Sequence, residues 1–382
     1  MWVKKMPKSN DTPKIKCGFS AYFSELKDPR RIMKGNHLYP LEELLFLSIA
    51  AVVSGADSWT SISYFGRTKL DWLRKWYPFE NGTPSHDVLG KVFAALDPDA
   101  FNRCFVCWVD SIAQLTSGEV VSIDGKALCG SGDKTNGKSA LHVVSAFATA
   151  NGLCLGQVAV DAKSNEITAI PELLELLAIK GCIVTIDAMG CQKSIARAVR
   201  DKGADYLLMV KGNQKELKDQ VEKLFSVAPV KAAFSSNDLG HGRIEHRKCE
   251  VIDQLRFLDG KEHWLDLKTV IRITSQRTIK QTGKGNTETR YYISSLGPDA
   301  KLINSAIRSH WAVENNLHWS LDVVFKEDTS LKKKDHSALN YNVIAKMALT
   351  LIDQEKSTKK SKPSKRLIAA LDDDYRAKIL KI

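Results

Sequence analysis

Residues 308–328 read RSHWAVENNLHWSLDVVFKED. Trp311, Val313, Leu317, Leu321, Val324 and Phe325 recur there at three- and four-residue steps, the periodicity of a helix with one apolar face. On such a helix His310, Glu314 and His318 stand at i, i+4 and i+8, within about 80° of one another. An acid and two imidazoles in one line are costly to bury unless something pairs with them. A metal ion, a nucleic acid or a set of further acids is therefore expected opposite this face.

The 382 residues allow two or three domains, and a hydrophobic fraction of 43% with 26% charged residues is that of a globular protein. No apolar run reaches the length of about 18 residues that a membrane span needs. The basic start, MWVKKMPKSNDTPKIKCG, lacks the apolar core of a secretory signal. The expectation is a cytoplasmic protein. The eight cysteines are scattered singly except for Cys104 and Cys107, which sit in an apolar helical run with no second such pair. Reduced thiols are a better reading than a structural zinc. The excess of 56 Lys and Arg over 44 Asp and Glu suits a polyanionic partner, although basic surfaces also serve solubility alone.

Residues 1–117 read as an all-helical unit: a short helix and a loop at Lys27–Asn36, then helices through 40–66, LDWLRKWYPF, 85–96 and 97–115. Trp59, Trp72 and Trp76 are its expected core anchors, and Arg67, Lys69, Arg74 and Lys75 are candidates to face phosphates or simply solvent. From Glu119 the pattern changes. VVSIDGKAL, LHVVSAFATA and LCLGQVAV read as strands, the last two joined at Asn151–Gly152. A helix from Glu166, the strand CIVTIDAMG, a helix over Gln192–Asp201 and the strand DYLLMVKGN follow. The order predicts a mixed α/β sheet. Residues 212–300 break the rhythm with a charged helix and three β-like runs, RIEHRKCEVI, TVIRITSQRT and TRYYISSL. After residues 308–328 come an apolar helix, ALNYNVIAKMALTLI, then a basic linker and a short helical tail over 356–382.

Two apolar strands are expected to end in Asp124 and Asp187, each followed by a small residue. A strand's carboxyl end is where α/β proteins place ligands. If the strands are neighbours the carboxylates repel, and divalent cations relieve such a pair. Oxygen ligands select Mg²⁺ or Mn²⁺ over zinc, and two such ions held by three acids serve in-line phosphoryl transfer. Either aspartate alone would more often be a turn residue; with Glu314 on the following helix they form a candidate catalytic set. Asp322, Glu327 and Asp328 compete for the third place, and the His310–Glu314–His318 line could instead hold zinc.

These residues carry a family resemblance. The chain resembles DDE transposases of the insertion-sequence-4 superfamily, in the ISAs1 group with its H-repeat-associated members. The likeness runs through LKDPRR, PLEELLFLSIAAVVSGADSW, FENGTPSHD, SIDGKALCGS, TIDAMGCQKSIA, MVKGNQ and RSHWAVENNLHWSLDVVFKED. It implies an RNase H-like core over 118–211 and 301–355 with a β-rich insertion at 212–300, beside a helical N-terminal DNA-binding or accessory domain. It implies Asp124, Asp187 and Glu314 as catalytic metal ligands for Mg²⁺ or Mn²⁺ ions, two per site. Also implied are cleavage and transfer of double-stranded DNA at terminal inverted repeats and into target DNA, and a homodimer pairing two ends. The superfamily's Tyr–Arg–Glu–Lys signature is altered: His310 stands four before Glu314 and Leu321 takes the lysine position. Arg308, His310, His318, Lys326 and Lys346 are then the DNA-contact candidates. Cys129 and Lys346 stand where arginine is usual, losing a bidentate fork. The alternative is a decayed or domesticated relative that binds DNA without cutting it.

Overall fold

Val120–Ile123 and Ile183–Ile186 are short runs rich in β-branched residues, and they pair as neighbouring parallel strands. The structure, a computed structural model, describes residues 20–30, 38–132, 137, 139–160, 164–240 and 242–382. The basic start and most of the loop expected at Lys27–Asn36 lie outside these.

Among the described residues nine strands form one sheet: β1 (Val120–Leu128), β2 (Leu141–Ala148), β3 (Leu153–Val160), β4 (Ile183–Ile186), β5 (Asp205–Val210), β6 (Ala232–Gly240), β7 (Arg243–Ile252), β8 (Thr269–Ile279) and β9 (Gly285–Ser294). Their order is β3-β2-β1-β4-β5-β9-β8-β7-β6. β1, β2 and β3 are antiparallel, while β1, β4 and β5 run parallel. This is the RNase H-like arrangement that the sequence led us to expect. β9 pairs antiparallel with β5, so the segment between residues 212 and 300 continues the same sheet. It holds four strands where three were legible. β6, AAFSSNDLG, has almost no β-branched residues and alternates only between half-buried and exposed positions, as suits an edge strand.

The helix Ala300–Ala312 packs on this sheet. Asp299 caps it, accepting from Lys301 N at 3.0 Å and Leu302 N at 2.9 Å. Its Ile303, Ala306 and Ile307 pack with Ile183, Leu207, Ile271 and Tyr292 in one buried cluster. Each large aliphatic side chain buried this way contributes about 1.5–3 kcal/mol, which anchors the start of the helix firmly.

The chain divides into two compact units, one of 109–323 with 327–329 and one of 1–108, 324–326 and 330–382. In the latter, the helix Leu41–Val53 is buried along almost its whole length. Ser58 opens the helix Trp59–Thr68 with a capping box to Ser61. Trp72 is buried, and its ring lies 5.9 Å from Phe46 and 6.2 Å from Trp76. Trp59 stacks on Phe93 at 4.9 Å. Residues 356–382, expected to be a basic linker with a tail, form the helices Lys362–Leu371 and Asp373–Leu380, whose Lys365, Arg366 and Arg376 are buried. Acceptors and aromatic faces offset part of the burial penalty of these cations. Lys365 Nζ donates to Ile352 O at 3.0 Å. Arg366 Nη2 donates to Val52 O at 2.9 Å. Arg376 Nη1 donates to Ala369 O at 2.8 Å, with its guanidinium 4.0 Å over Trp72.

Arg376→Ala should therefore cost about 2–4 kcal/mol of unfolding free energy in chemical denaturation, while Lys378→Ala, at an exposed position, should change it by less than about 0.5 kcal/mol.

Candidate active site

β1 does not end at Asp124. It continues to Leu128 because β2 goes on pairing with it, Gly125 against Val144 through Leu128 against Leu141. What ends there is the parallel pairing with β4: Ile123 stands against Ile186, and the next residues along the two strands are Asp124 and Asp187. The register thus sets the two aspartates side by side at the mouth of the parallel pair. Asp187 Oδ1 accepts from Met189 N at 3.0 Å and Gly190 N at 3.4 Å, which fixes its turn. Asp124 is pushed up to about 7, first by burial and then by the charges of Asp187, Glu166 and Glu314, against a stabilising Gly125 backbone bond.

The stretch carrying Glu314 is not one regular α-helix. After Ala312 it widens into π-helical turns over Val313–His318 and Ser320–Val324, and it stops at Lys326, where φ is 56°. Such turns cluster at functional sites. With an extra residue per turn, positions four apart come closer to one line along the axis. His310, expected in that line, lies in the α-helical part instead, and its Nδ1 meets Thr185 Oγ1 on β4 at 3.0 Å. Glu314 and His318 do share a side: His318 Nδ1 is 3.1 Å from Glu314 Oε2 and 3.6 Å from Asp124 Oδ2. One ligand atom each from Asp124, Glu314 and His318 lies within 4.8 Å of the others.

Two residues further along β1, on the same face, Lys126 forms a second rung. Its Nζ bonds Asp322 and, at 2.8 Å, Glu327. Burial pulls the Lys126 ammonium down, but the two carboxylates outweigh it and hold it above its usual value. β1 and the π-helical stretch are thus joined by an acid-rich rung and a cation-bridged one. Asp322, a competitor for the third acid, is committed to Lys126.

Asp124, Asp187 and Glu314 line one pocket of about 300 Å³ together with His310, Trp311, Lys211 and Arg290. Burial holds His310 below its usual value, so it presents a neutral ring there. Behind Gly125, Glu166 pairs with His142 Nε2 at 2.7 Å. A Cβ at Gly125 would stand 1.9 Å from Glu166 Oε1, so a larger residue there would push the Glu166–His142 pair aside. Arg308 is half-exposed and ion-paired with Asp238. Lys326 is exposed. Lys346, taken as a DNA contact, is only 2% exposed: the helix Ser337–Gln354 is buried on nearly every side, so no phosphate reaches it. Trp311, part of the apolar spacing of residues 308–328, is 44% exposed, and Trp319 is 54% exposed. Lys126, Lys211, Arg290 and the His142–Glu166 pair were not singled out from sequence. Of these Lys126 alone had a signal, its i+2 spacing from Asp124 on a strand.

A model of the transposase DDE domain matches residues 115–351, and one of its associated domain matches 20–109. The chain belongs to the DDE transposases. Among its relatives, "H repeat-associated putative transposase YhhI" of Escherichia coli K12 is 40% identical over 368 residues, 94% of this chain and 96% of that one. "Putative transposase YncI" of E. coli O157:H7 is 42% identical over 366 residues, covering 94% and 93%. The transposase is thus of the H-repeat-associated type. A piggyBac transposase, solved in a synaptic complex with hairpin DNA, matches at 11% identity and a TM-score of 0.43, over 96% of this chain and 77% of that one. No helix among the described residues is long and apolar enough to cross a membrane.

The donor set fits a divalent cation: clustered carboxylates, one of them raised by burial and by the neighbouring acids, with an imidazole beside them. Because the folded state raises the Asp124 carboxyl from about 4 to about 7, its contribution to stability is full below about pH 4. That contribution is lost as pH rises through about 7. In EDTA at pH 8, Asp124→Asn should raise the unfolding free energy of the transposase by about 1–3 kcal/mol, and saturating Mg²⁺ should shrink or reverse the difference. Lys126→Met should lower stability by about 2–4 kcal/mol and weaken Mn²⁺ binding about 10-fold or more in titration calorimetry.

Proposed function

We propose that the transposase cleaves DNA at the ends of its own insertion element and joins the freed ends to target DNA, using two Mg²⁺ or Mn²⁺ ions. The observation that carries this is the β1–β4 register, which sets Asp124 beside Asp187 and opposite Glu314. Asp124, Asp187 and Glu314 hold the ions, and His318 either shares a ligand position or orients Glu314 through their 3.1 Å contact. When bound, the ions activate water or a DNA 3′-hydroxyl and neutralise charge on the leaving oxygen. Lys211 and Arg290 supply the pocket's fixed positive charge and orient the scissile phosphate. His310, neutral and braced on Thr185, contributes shape and a hydrogen bond in place of the superfamily's arginine. His318, Arg308 and Lys326 remain our candidates for backbone contacts.

The wider assignment follows the sequence resemblance: the ISAs1 group of the insertion-sequence-4 superfamily, terminal inverted repeats as the substrate, a homodimer pairing two ends, and a cytoplasmic enzyme acting on the nucleoid. In the domain assignment the catalytic core comprises 118–211 and 301–355, with 212–300 inserted. Residues 1–117 serve as a DNA-binding or accessory domain, followed at the other end by the tail at 356–382.

Asp124→Asn, Asp187→Asn and Glu314→Gln should each lower metal-dependent cleavage of the gene's own flanking DNA by about 1000-fold or more. Duplex binding in EDTA should stay within about threefold. Wild-type cleavage by any of the three removes that residue from the catalytic set. Absence of cleavage by the wild-type chain, with binding intact, favours the binding-only reading.

A further inference from the structure

The acid cluster is not uniform in its donors. Among the described residues, Asp124, Glu314 and His318 are the one set of acid, cysteine or histidine side chains whose ligand atoms gather within 4.8 Å of one another. Asp187 lines the same pocket but stands outside that trio. His318 Nδ1 is 3.1 Å from Glu314 Oε2 and 3.6 Å from Asp124 Oδ2. Atoms bonded to one ion at about 2.1 Å lie about 3.0 Å apart at a right angle and about 3.4 Å apart at a tetrahedral one. The imidazole nitrogen therefore already stands at the separations of a ligand on the same ion. A histidine that only oriented Glu314 would need to meet that carboxylate alone, and this one faces both acids. Its ring is 4% exposed and sits four residues after Glu314 in the π-helical stretch, so it is held against the acids and away from solvent.

The donor type decides which ion. Carboxylates alone favour hard cations that keep several waters, Mg²⁺ among them, while an imidazole adds affinity for Mn²⁺ and more for Zn²⁺. We propose that His318 Nδ1 is a direct ligand of the ion held between Asp124 and Glu314, which makes that position selective for Mn²⁺ over Mg²⁺ and open to capture by Zn²⁺. An ion between Asp124 and Asp187 meets only carboxylate oxygen from these side chains and keeps the preference for Mg²⁺. The two positions are thus inequivalent, one for a transition metal and one for a hard cation. Zn²⁺ in the mixed position would have three protein ligands and one open place. This rests on the reading above that the acids hold the ions, but on no cleavage step.

The test is pulsed electron paramagnetic resonance of Mn²⁺ bound to the full chain without DNA, in which a directly bonded nitrogen modulates the echo. The wild-type signal should carry a nitrogen coupling that changes when the chain is grown with histidine labelled with the heavier nitrogen isotope. The coupling should persist in His310→Gln and vanish in His318→Gln. His318→Gln should weaken Mn²⁺ binding at least about tenfold, and Mg²⁺ binding, read by competition, by less than about threefold. Zn²⁺ should displace the nitrogen-coupled Mn²⁺ from the wild type at a lower concentration than Mg²⁺ does. Thermal unfolding checks that His318→Gln folds, and the isotope experiment serves if it does not. Bound Mn²⁺ that is lost in Asp124→Asn but shows no nitrogen coupling in the wild type overturns the proposal, as does a coupling that survives in His318→Gln. Mn²⁺ binding indifferent to Asp124→Asn would instead take down the acid-site reading on which the proposal rests. Nitrogen-coupled Mn²⁺ on a chain that never cleaves would count against the function proposed above and leave the selective position standing.

Discussion

Lys126 is the side chain on which the geometry of the acid cluster depends. It bridges Asp322 and Glu327 from the strand that also carries Asp124. Its ion pairs therefore draw the helix toward β1 one rung away from where Glu314 and Asp124 push it off. Like charges in a partly buried cleft separate unless something opposes them. Packing of Ile303 and Ile307 fixes the start of the helix, and Lys126 fixes its far end. Between these two anchors the backbone adopts π-helical turns, and Glu314 and His318 face Asp124 together. A rigid frame holding an unfavourable charge arrangement is a common way to build affinity for a cation: the repulsion is already present before any ion arrives.

The same logic explains how the fold divides its labour. The parallel register of β1 and β4 places two acids, and this is a property of backbone pairing that no side chain needs to enforce. The extension of β1 beyond Asp124 by its pairing with β2 is what puts Lys126 within reach of the helix. Beyond β5 the sheet brings arginines to the site, with Arg290 at the pocket and the ion-paired arginines of β7 and β8 further out. One sheet thus offers a metal-attracting edge next to a phosphate-attracting one.

Much of this was legible in the sequence, and the rest failed for physical reasons. The β-branched runs ending near Asp124 and Asp187 announced two strands, whose pairing came only with the fold, and hydrophobic spacing announced the helix of Glu314. That spacing cannot distinguish α from π turns, because Val313, Leu317, Leu321 and Val324 are buried under either pitch. Hence His310 was placed in line with Glu314 when it belongs to the turn before. β6 was missed because an edge strand needs few apolar residues. Lys346 was misread as a DNA contact, although the nearly unbroken apolar run around it argues for a helix buried all round. Trp311 shares that spacing and yet is 44% exposed, because the buried positions of the stretch are Val313, Leu317 and Leu321. The helical character of the tail is legible, but charge does not say whether carbonyls and aromatic rings wait to receive its cations.

The most direct test of the ladder is where a cation binds. Crystals of the transposase soaked in Mn²⁺ would locate it by anomalous scattering. The arrangement requires a peak between Asp124 and Glu314, near Asp187 and His318, with Lys126 still bridging Asp322 and Glu327. A peak held by Asp322 or Glu327 with Lys126 displaced, or an ion bound through the histidines without Asp124, would contradict it.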